Sequence, residues 1–364
     1  MAMTNFAALT TQQKLVWSRD VWQAARDQAF VSRFIGTGQN SVIQRITELT
    51  KTEKGEQVIM HLVADLVEDG VQGDNEREGN EEALQSYNQV VNIDLLSHGV
   101  RQKGKLAEQK TVINFRETGK DRLAFWLANR IDQMAFLTLS GISYAYQCNG
   151  KARASSTLAN LSFAADVSAP STLRSVMWNA TALVASVTAS IANTYIPSYK
   201  MIVQLIAYAK SHYMKGIMEG GKEYFCLFVH PRTLAMLKVD ADYQRAVVTG
   251  LPRGSDNPFF TGGTVTIDGA VIHEHRLVYN TTGTATKWGG GNAVEGSRSL
   301  LCGSQALGMA DLGPAEWAEK LFQYDSSPGI NIDKMLGFLK PKFYSIYDGA
   351  VEDFGVLAID HYLA

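Results

Sequence analysis

The stretch Ser297-Arg-Ser-Leu-Leu-Cys-Gly-Ser-Gln-Ala-Leu-Gly-Met309 opens the part of the chain that decides the fold. It is followed by Gly337-Phe-Leu-Lys-Pro-Lys-Phe343 and by Asp353-Phe-Gly-Val-Leu-Ala-Ile-Asp360. In all three segments, short apolar runs of strand length alternate with glycine and other small residues, a pattern typical of buried β-strands. The tail carries no catalytic constellation, so we interpret it as architecture and not as an active site.

Composition narrows the class of protein. The chain has 364 residues, 46% of them hydrophobic and 19% charged, with a formal net charge of −2. Proteins that bind nucleic acid through phosphates carry a basic excess, so this composition argues against DNA or RNA affinity as the main activity. No apolar run is long enough for a membrane span, and charges such as Arg19 and Asp27 exclude a secretory signal. Three widely separated cysteines indicate reduced, buried thiols in a cytoplasm.

Upstream of the tail, the apolar pattern predicts a few large elements. Two apolar strands, 56–68 and 89–100, are joined by a long polar connector and predict an extended hairpin. Helical spacing predicts one long helix over about 118–146 and another over about 198–214. Residues 150–195 are rich in Ala, Ser and Thr, with a short helix expected over 173–178. Further predicted elements are a helix over about 11–30 in an N-terminal arm, a strand over 223–230 with a helix after it, and a hairpin that turns at Asp268-Gly269.

The polar connector and the segment after the hairpin have opposite charge. We expect them to meet between subunits, since complementary charges favour correct register and encounter. Plain solvated faces and, for the basic block, nucleic-acid phosphates stay open as alternatives. The connector lacks the ligand spacing of a calcium loop. The candidate inter-subunit residues are Asp74, Glu76, Glu78, Glu81, Glu82, Arg101, Lys103, Lys105, Lys110 and Arg116.

Three other motifs have residue types that can form sites of chemistry. His273-Glu-His275 places two imidazoles on one face of a strand, as some zinc sites require, but no third ligand is identifiable, and a surface strand is the favoured interpretation. Asp353-Phe-Gly355 copies the magnesium motif of kinases without the other kinase motifs. Gly289-Gly-Gly291 lacks the lysine and serine of a phosphate-binding loop. We therefore expect no catalytic, metal or cofactor site, and no enzymatic activity.

Six short motifs follow one another along the chain: Ala169-Pro-Ser-Thr-Leu-Arg174, Val229-His-Pro231, Asn257-Pro-Phe-Phe-Thr-Gly262, Asp268-Gly-Ala-Val-Ile-His273, Leu300-Leu-Cys-Gly-Ser-Gln-Ala306 and Asp353-Phe-Gly355. With these motifs, the order of segments resembles the HK-97-type fold of tailed-phage major capsid proteins, and more narrowly the capsid group that includes the protein of phage N-four. The chain is similar to that family by motif over about half its length and by segment order over nearly all of it.

The resemblance implies an α+β fold with a division of the chain into lobes. The implied units are an N-terminal arm (1–55), an extended hairpin loop (56–105), a peripheral domain with the spine helix and the Ala/Ser/Thr-rich insert (106–222), an axial domain with a β-hairpin (223–296), and a return to the peripheral domain with C-terminal strands (297–364). The insert has no counterpart in the family that we can place.

The same resemblance implies the function. The expected role is a major capsid protein that self-assembles, as hexamers and pentamers, into an icosahedral shell around double-stranded DNA in the host cytoplasm. The implied partners are a separate scaffolding protein, a portal protein and possible decoration proteins, with only non-specific contact to DNA and none to membrane. A decoration or tail-tube protein, or an enzyme with an unfamiliar site, stays open as an alternative.

Overall fold

Helices and strands are mixed along the chain, so the α+β class predicted from the sequence is confirmed. The computed structural model describes residues 21–25, 28–47, 55, 57–63, 66, 70–73, 78, 81, 86–105, 115–250, 265–324 and 326–364. The strands are β1 Ile35–Gly36, β2 Ile43–Ile46, β3 Gln57–Val63, β4 Ser86–Asn92, β5 Asp94–Arg101, β6 Ser175–Trp178, β7 Leu183–Ala185, β8 Ile217–Glu219, β9 Lys222–Val229, β10 Val265–Ile267, β11 Ala270–Glu274, β12 Gly296–Cys302, β13 Leu307–Asp311, β14 Glu316–Phe322, β15 Ser327–Leu339, β16 Lys342–Ser345, β17 Ala350–Asp353 and β18 Val356–Tyr362. The helices are α1 Phe115–Ser140, α2 Tyr199–Ser211, α3 Pro231–Val239 and α4 Ala241–Gly250.

The strand β15 organises a six-stranded sheet. It pairs antiparallel with β14, β5 and β13, and β2 and β1 extend the sheet beyond β13. The thirteen residues of β15 make these three partnerships possible, because β14 and β13 pair with successive parts of one edge and β5 pairs with the other edge. Its buried residues Ile330, Ile332, Leu336 and Phe338 point into the main core. This sheet therefore gathers strands from the hairpin region, the N-terminal segment and the tail.

The second large sheet has eight strands in the order β10-β11-β9-β12-β18-β6-β7, with β8 paired to β9. Its middle is fully buried: every residue of β12 is buried, and β18 is buried up to His361. Asp268 and Gly269 both have positive φ, 49° and 86°, so the predicted two-residue turn between β10 and β11 is confirmed. Strands of 297–364 occur in both large sheets, and the division into peripheral and axial lobes remains a prediction.

The helix α1 contacts strands of both sheets, and residues of all three share one core. It ends at Ser140, six residues before the predicted end, because Gly141 adopts φ 66°. The Gly141 amide donates to Thr138 and the Ile142 amide to Leu137, the hydrogen bonds that close a helix with a left-handed residue. A Cβ at Gly141 would lie 2.5 Å from the Ser168 carbonyl oxygen, so only glycine fits.

The predicted hairpin is divided into two parts. Strands β3 and β4 pair with each other from Gln57–Asn92 to Val63–Ser86, forming a two-stranded sheet. The chain then continues as β5 into the six-stranded sheet. Gly337 of β15 allows β4 to approach, since a Cβ there would lie 2.1 Å from the Asn92 carbonyl oxygen. The paired hairpin thus ends at residue 92, and residues 94–101 belong to the body of the subunit.

The described part of the predicted arm is embedded in the subunit. Val21 and Ala25 lie in a helical segment and are fully buried, and Ile43 of β2 is buried beside β13. The rest of the helix predicted over 11–30 lies largely outside the described residues. An extended arm is therefore kept as a prediction only for the residues before 21.

The Ala/Ser/Thr-rich insert joins the eight-stranded sheet. Residues Thr172–Arg174 form one 3-10 turn and Ser175–Trp178 form β6, so the helix expected over 173–178 is wrong. The side chains of Val176, Met177 and Trp178 are all buried, and β6 pairs with β18 and β7. Val176 and Trp178 are residue types that strands favour, and burial of all three side chains between neighbouring elements stabilises the strand.

One buried ion pair joins α1 to the eight-stranded sheet. The Arg298 guanidinium of β12 makes a bidentate contact with Asp360 of β18, at 2.7 Å from Nε and 2.9 Å from Nη2. Its remaining nitrogen, Nη1, donates to the Ser140 carbonyl oxygen at the end of α1, at 2.8 Å. The Ser186 hydroxyl after β7 donates to the same carboxylate. Arg298 therefore holds a helix end and two central strands in one arrangement.

We predict that Arg298→Gln lowers the free energy of unfolding by about 3 kcal/mol, because it leaves Asp360 charged and buried without its partner. Urea denaturation of the isolated subunit would measure this. The matched control is Arg245→Gln, which removes an exposed ion pair with Asp242 and should change stability by less than about 1 kcal/mol. Equal losses in the two variants would contradict the prediction.

Candidate functional site

The acidic tip, defined as Asp74, Glu76, Glu78, Glu81 and Glu82, lies between β3 and β4 in the chain. Glu78 and Glu81 are exposed, and the other three lie outside the described residues. Both described carboxylates are therefore on the surface, in the segment that joins β3 to β4.

The predicted basic residues differ in their surroundings. Arg101 ends β5, where its Nε donates to Ser327 at 3.0 Å and its guanidinium lies 4.3 Å from the Phe322 ring centre. Arg116 pairs with Glu319 at 2.7 Å. These two cations thus make contacts inside their own subunit. Lys103 and Lys105 are exposed, and Lys110 lies outside the described residues.

The β3–β4 hairpin has one buried and one exposed face. Val58, Met60 and Val91 pack against Ile46 and Phe354 in a separate small core. On the opposite face, Ile59 and Val90 lie opposite each other across the strands and are both exposed. The hairpin is therefore attached to its own subunit along one side and presents the other side to its surroundings.

A buried carboxylate holds the N-terminal segment to α1. Asp132 accepts hydrogen bonds from the backbone amides of Phe30 and Val31, both at 3.0 Å. Burial raises the pKa of Asp132 to about 6, opposed by these two amides and by Arg276. The sequence did not reveal this carboxylate as an anchor, since one aspartate on an apolar helix face has no distinguishing pattern.

His273 and His275, the two candidate metal ligands, pack around Phe30. The His275 ring stacks on Phe30 with centroids 4.3 Å apart, and on Phe136 of α1 at 5.1 Å. His273 meets Phe34 edge to face at 4.9 Å. Burial lowers the pKa of both rings, that of His275 to about 4, with Arg276 and Arg33 as secondary causes. They lie on one face, as predicted, but half-buried against the N-terminal segment and not on an open surface strand.

A second buried charge cluster also escaped sequence reasoning. Lys334 of β15 contacts Asp311 and the Gly313 carbonyl oxygen, and its ammonium lies 3.8 Å from the Trp22 ring centre. Arg45 of β2 pairs with the other oxygen of Asp311 at 2.7 Å. A lysine in an alternating strand normally points to solvent. The burial of Lys334 is explained by the ring of Trp22, the carboxylate of Asp311 and the Gly313 carbonyl oxygen, none of which is its neighbour in sequence.

The kinase-like motif has a structural role. Lys340 pairs with Asp353 at 2.8 Å, and both side chains are fully buried. The Ser171 amide donates to the same carboxylate, and the Ser171 hydroxyl donates to Glu352. These contacts fasten β17 to residues 171–174. Within the described ranges, no group of three metal-ligating side chains and no helix suited to crossing a membrane is found.

Comparisons with known proteins agree on one family. Residues 5–364 match the model of a family described as phage capsid protein. The major capsid protein of Pseudomonas phage KPP25 is 49% identical over 363 residues, covering 98% of this chain and 96% of the relative. The capsid of Ralstonia phage GP4 superposes with a TM-score of 0.74 at 28% identity, covering 92% of this chain and 91% of the other. The capsid of cyanophage Pam1 shares the fold, with a TM-score of 0.72 at 19% identity over all of this chain and 96% of the other.

We predict that His275→Phe makes the subunit less sensitive to acid. A depressed pKa means that the folded state resists protonation, so His275 costs stability as the pH falls from about 6.5 to 4. The free energy of unfolding of the variant, relative to the parent, should rise by about 2 kcal/mol over that interval. The difference at pH 8 serves as the baseline, since it contains only the packing change. A difference that stays constant from pH 8 to 4 would contradict this.

Proposed function

Since the chain belongs to the phage capsid protein family and is a major capsid protein, we propose that its copies form the icosahedral shell around the double-stranded DNA of a tailed phage. The family match and the identity to a phage major capsid protein confirm the expectation of a phage capsid subunit. The 49% identity to the KPP25 major capsid protein, sustained over 98% of the chain, carries this conclusion. Assembly into a multimeric capsid is the shared property of the family.

The proposal extends to lobes and partners. The six-stranded sheet with α1 would form the peripheral lobe, and the eight-stranded sheet with α2, α3 and α4 the axial lobe. A scaffolding protein, a portal protein and possible decoration proteins would act during assembly in the host cytoplasm. No enzymatic step is required, because closure of a shell needs only reversible contacts whose many weak energies add up.

In self-association, the β3–β4 hairpin would extend from one subunit and contact a neighbouring copy. Its acidic tip carries exposed carboxylates, and Lys103 and Lys105 are exposed on the segment after β5. Opposite charges on two parts of one chain favour head-to-tail contact between neighbouring copies, because each copy then supplies both partners. The internal contacts of Arg101 and Arg116 shift the expected basic partner toward these two lysines.

Sedimentation of the purified protein, alone and with the phage's scaffolding protein, tests the function itself. We expect particles of megadalton mass that appear as closed shells in negative-stain micrographs. A stable small oligomer under both conditions would contradict the proposal.

Charge reversal tests the hairpin contact. We predict that Glu78→Lys/Glu81→Lys leaves the circular dichroism of the subunit unchanged but reduces shell yield about tenfold, since like charges then meet. Adding Lys103→Glu/Lys105→Glu in the same chain should restore shells. Asp242→Lys/Glu274→Lys, with the same charge change at other exposed positions, is the control. Normal shells from the first variant, or no rescue in the second, would rule out this pairing.

A further inference from the structure

The β16–β17 hairpin carries a concentrated exposed apolar surface. We define the hairpin patch as Tyr213, Tyr344, Ile346, Tyr347 and Val351, whose exposed fractions are 54%, 43%, 41%, 52% and 59%. Tyr344 and Val351 lie directly opposite each other across the two strands. At the tip, the rings of Tyr347 and Tyr213 stack with centroids 3.8 Å apart. The five side chains therefore form one surface from the strand pair to the end of α2.

The hairpin patch is held rigidly from behind. On the opposite face, Phe343 packs edge to face on Phe354 at 5.1 Å. At the tip, Asp348 pairs with His212 at 2.9 Å and accepts a hydrogen bond from Ser345. The Lys340–Asp353 pair anchors the base of the hairpin. A rigid aromatic surface loses little side-chain entropy on binding, which is the property of interface residues that contribute most affinity.

The area of the hairpin patch indicates what covers it. A half-exposed tyrosine leaves roughly 100 Å² uncovered, so the five side chains together present roughly 400 Å². A stable pair needs about 800 Å² from each partner. The hairpin patch is thus too small to hold a dimer alone and suits one of several contacts that each subunit makes in a closed shell.

The charge of the hairpin patch fits an identical partner. A contact between two copies across a two-fold axis brings like groups close together, so unpaired charges there would repel. The five side chains are uncharged, and the adjacent Asp348 is already paired with His212. We propose that the hairpin patch docks against a second copy of this chain in the shell; this inference rests on the proposed function.

The first test removes apolar area without removing strand tendency. Tyr344→Thr/Val351→Thr should keep the Tm of the subunit within a few degrees and lower the assembled fraction at least tenfold. The control is Tyr324→Thr/Val239→Thr, which makes the same exchanges at two exposed positions outside the hairpin patch and should assemble normally. Normal assembly of the first variant would overturn the inference.

The second test measures whether the hairpin patch is covered, through the accessibility of an introduced thiol. The three native cysteines are buried and free, so a maleimide label reports an introduced cysteine. In Val351→Cys, we expect rapid labelling of free subunits and at least tenfold slower labelling in bare shells. Val239→Cys verifies that an exposed cysteine reacts in free subunits.

The outcomes separate the two proposals. If the Val351→Cys variant forms shells in which the introduced thiol stays reactive, the hairpin contact alone is overturned. Protection that develops only in complete virions, and not in bare shells, would also overturn it, since another protein then covers the surface. If the parent protein forms no shells under any condition, the proposed function fails and the inference falls with it.

Discussion

The contact of Arg298 with Asp360 and with the end of α1 is the constraint on which the rest of the subunit depends. It lies where the central strands of the eight-stranded sheet meet the helix that also packs on the six-stranded sheet. A bidentate pair in a buried place tolerates little displacement, so it fixes the angle between these elements. The buried Lys334–Asp311 pair links β15 to β13, and the buried Lys340–Asp353 pair links the end of β15 to β17. A shell subunit needs well-defined angles between its elements, because small angular errors accumulate around a closed lattice.

The two hairpins of the subunit are attached less extensively than its centre. Buried polar anchors hold the described N-terminal segment, α1 and the tail together, whereas the β3–β4 and β16–β17 hairpins each attach by one face only. A two-stranded hairpin has little stability of its own and gains from a second surface. The subunit therefore combines a rigid centre with two hairpins that each leave one face free.

Local features of the fold could be predicted from the sequence, and distant pairings could not. Asp268-Gly269 allows little except a tight turn, and the spacing from Leu123 to Leu139 predicts α1 because each signal lies within a few residues. The pairing of β5 with β15 joins residues more than two hundred positions apart, which no local pattern encodes. The buried charges were missed for a related reason: Lys334 and Asp311 look like surface residues until their partner is known. For the candidate site, charge composition indicated the two blocks, but the internal contacts of Arg101 and Arg116 required the structure.

The position of β18 has a consequence for how the protein is made. It lies between β12 and β6, and every other strand of the eight-stranded sheet precedes it in the chain. While a ribosome is still elongating the chain, that sheet is split, and β12 and β6 each leave one edge of backbone donors and acceptors unpaired. The sheet closes only after the last strand emerges, so folding is dominated by late, long-range contacts and is slow. A chain that stops before β18 would lack Asp360, so Arg298 would lose its buried partner and the two halves of the sheet would stay unpaired.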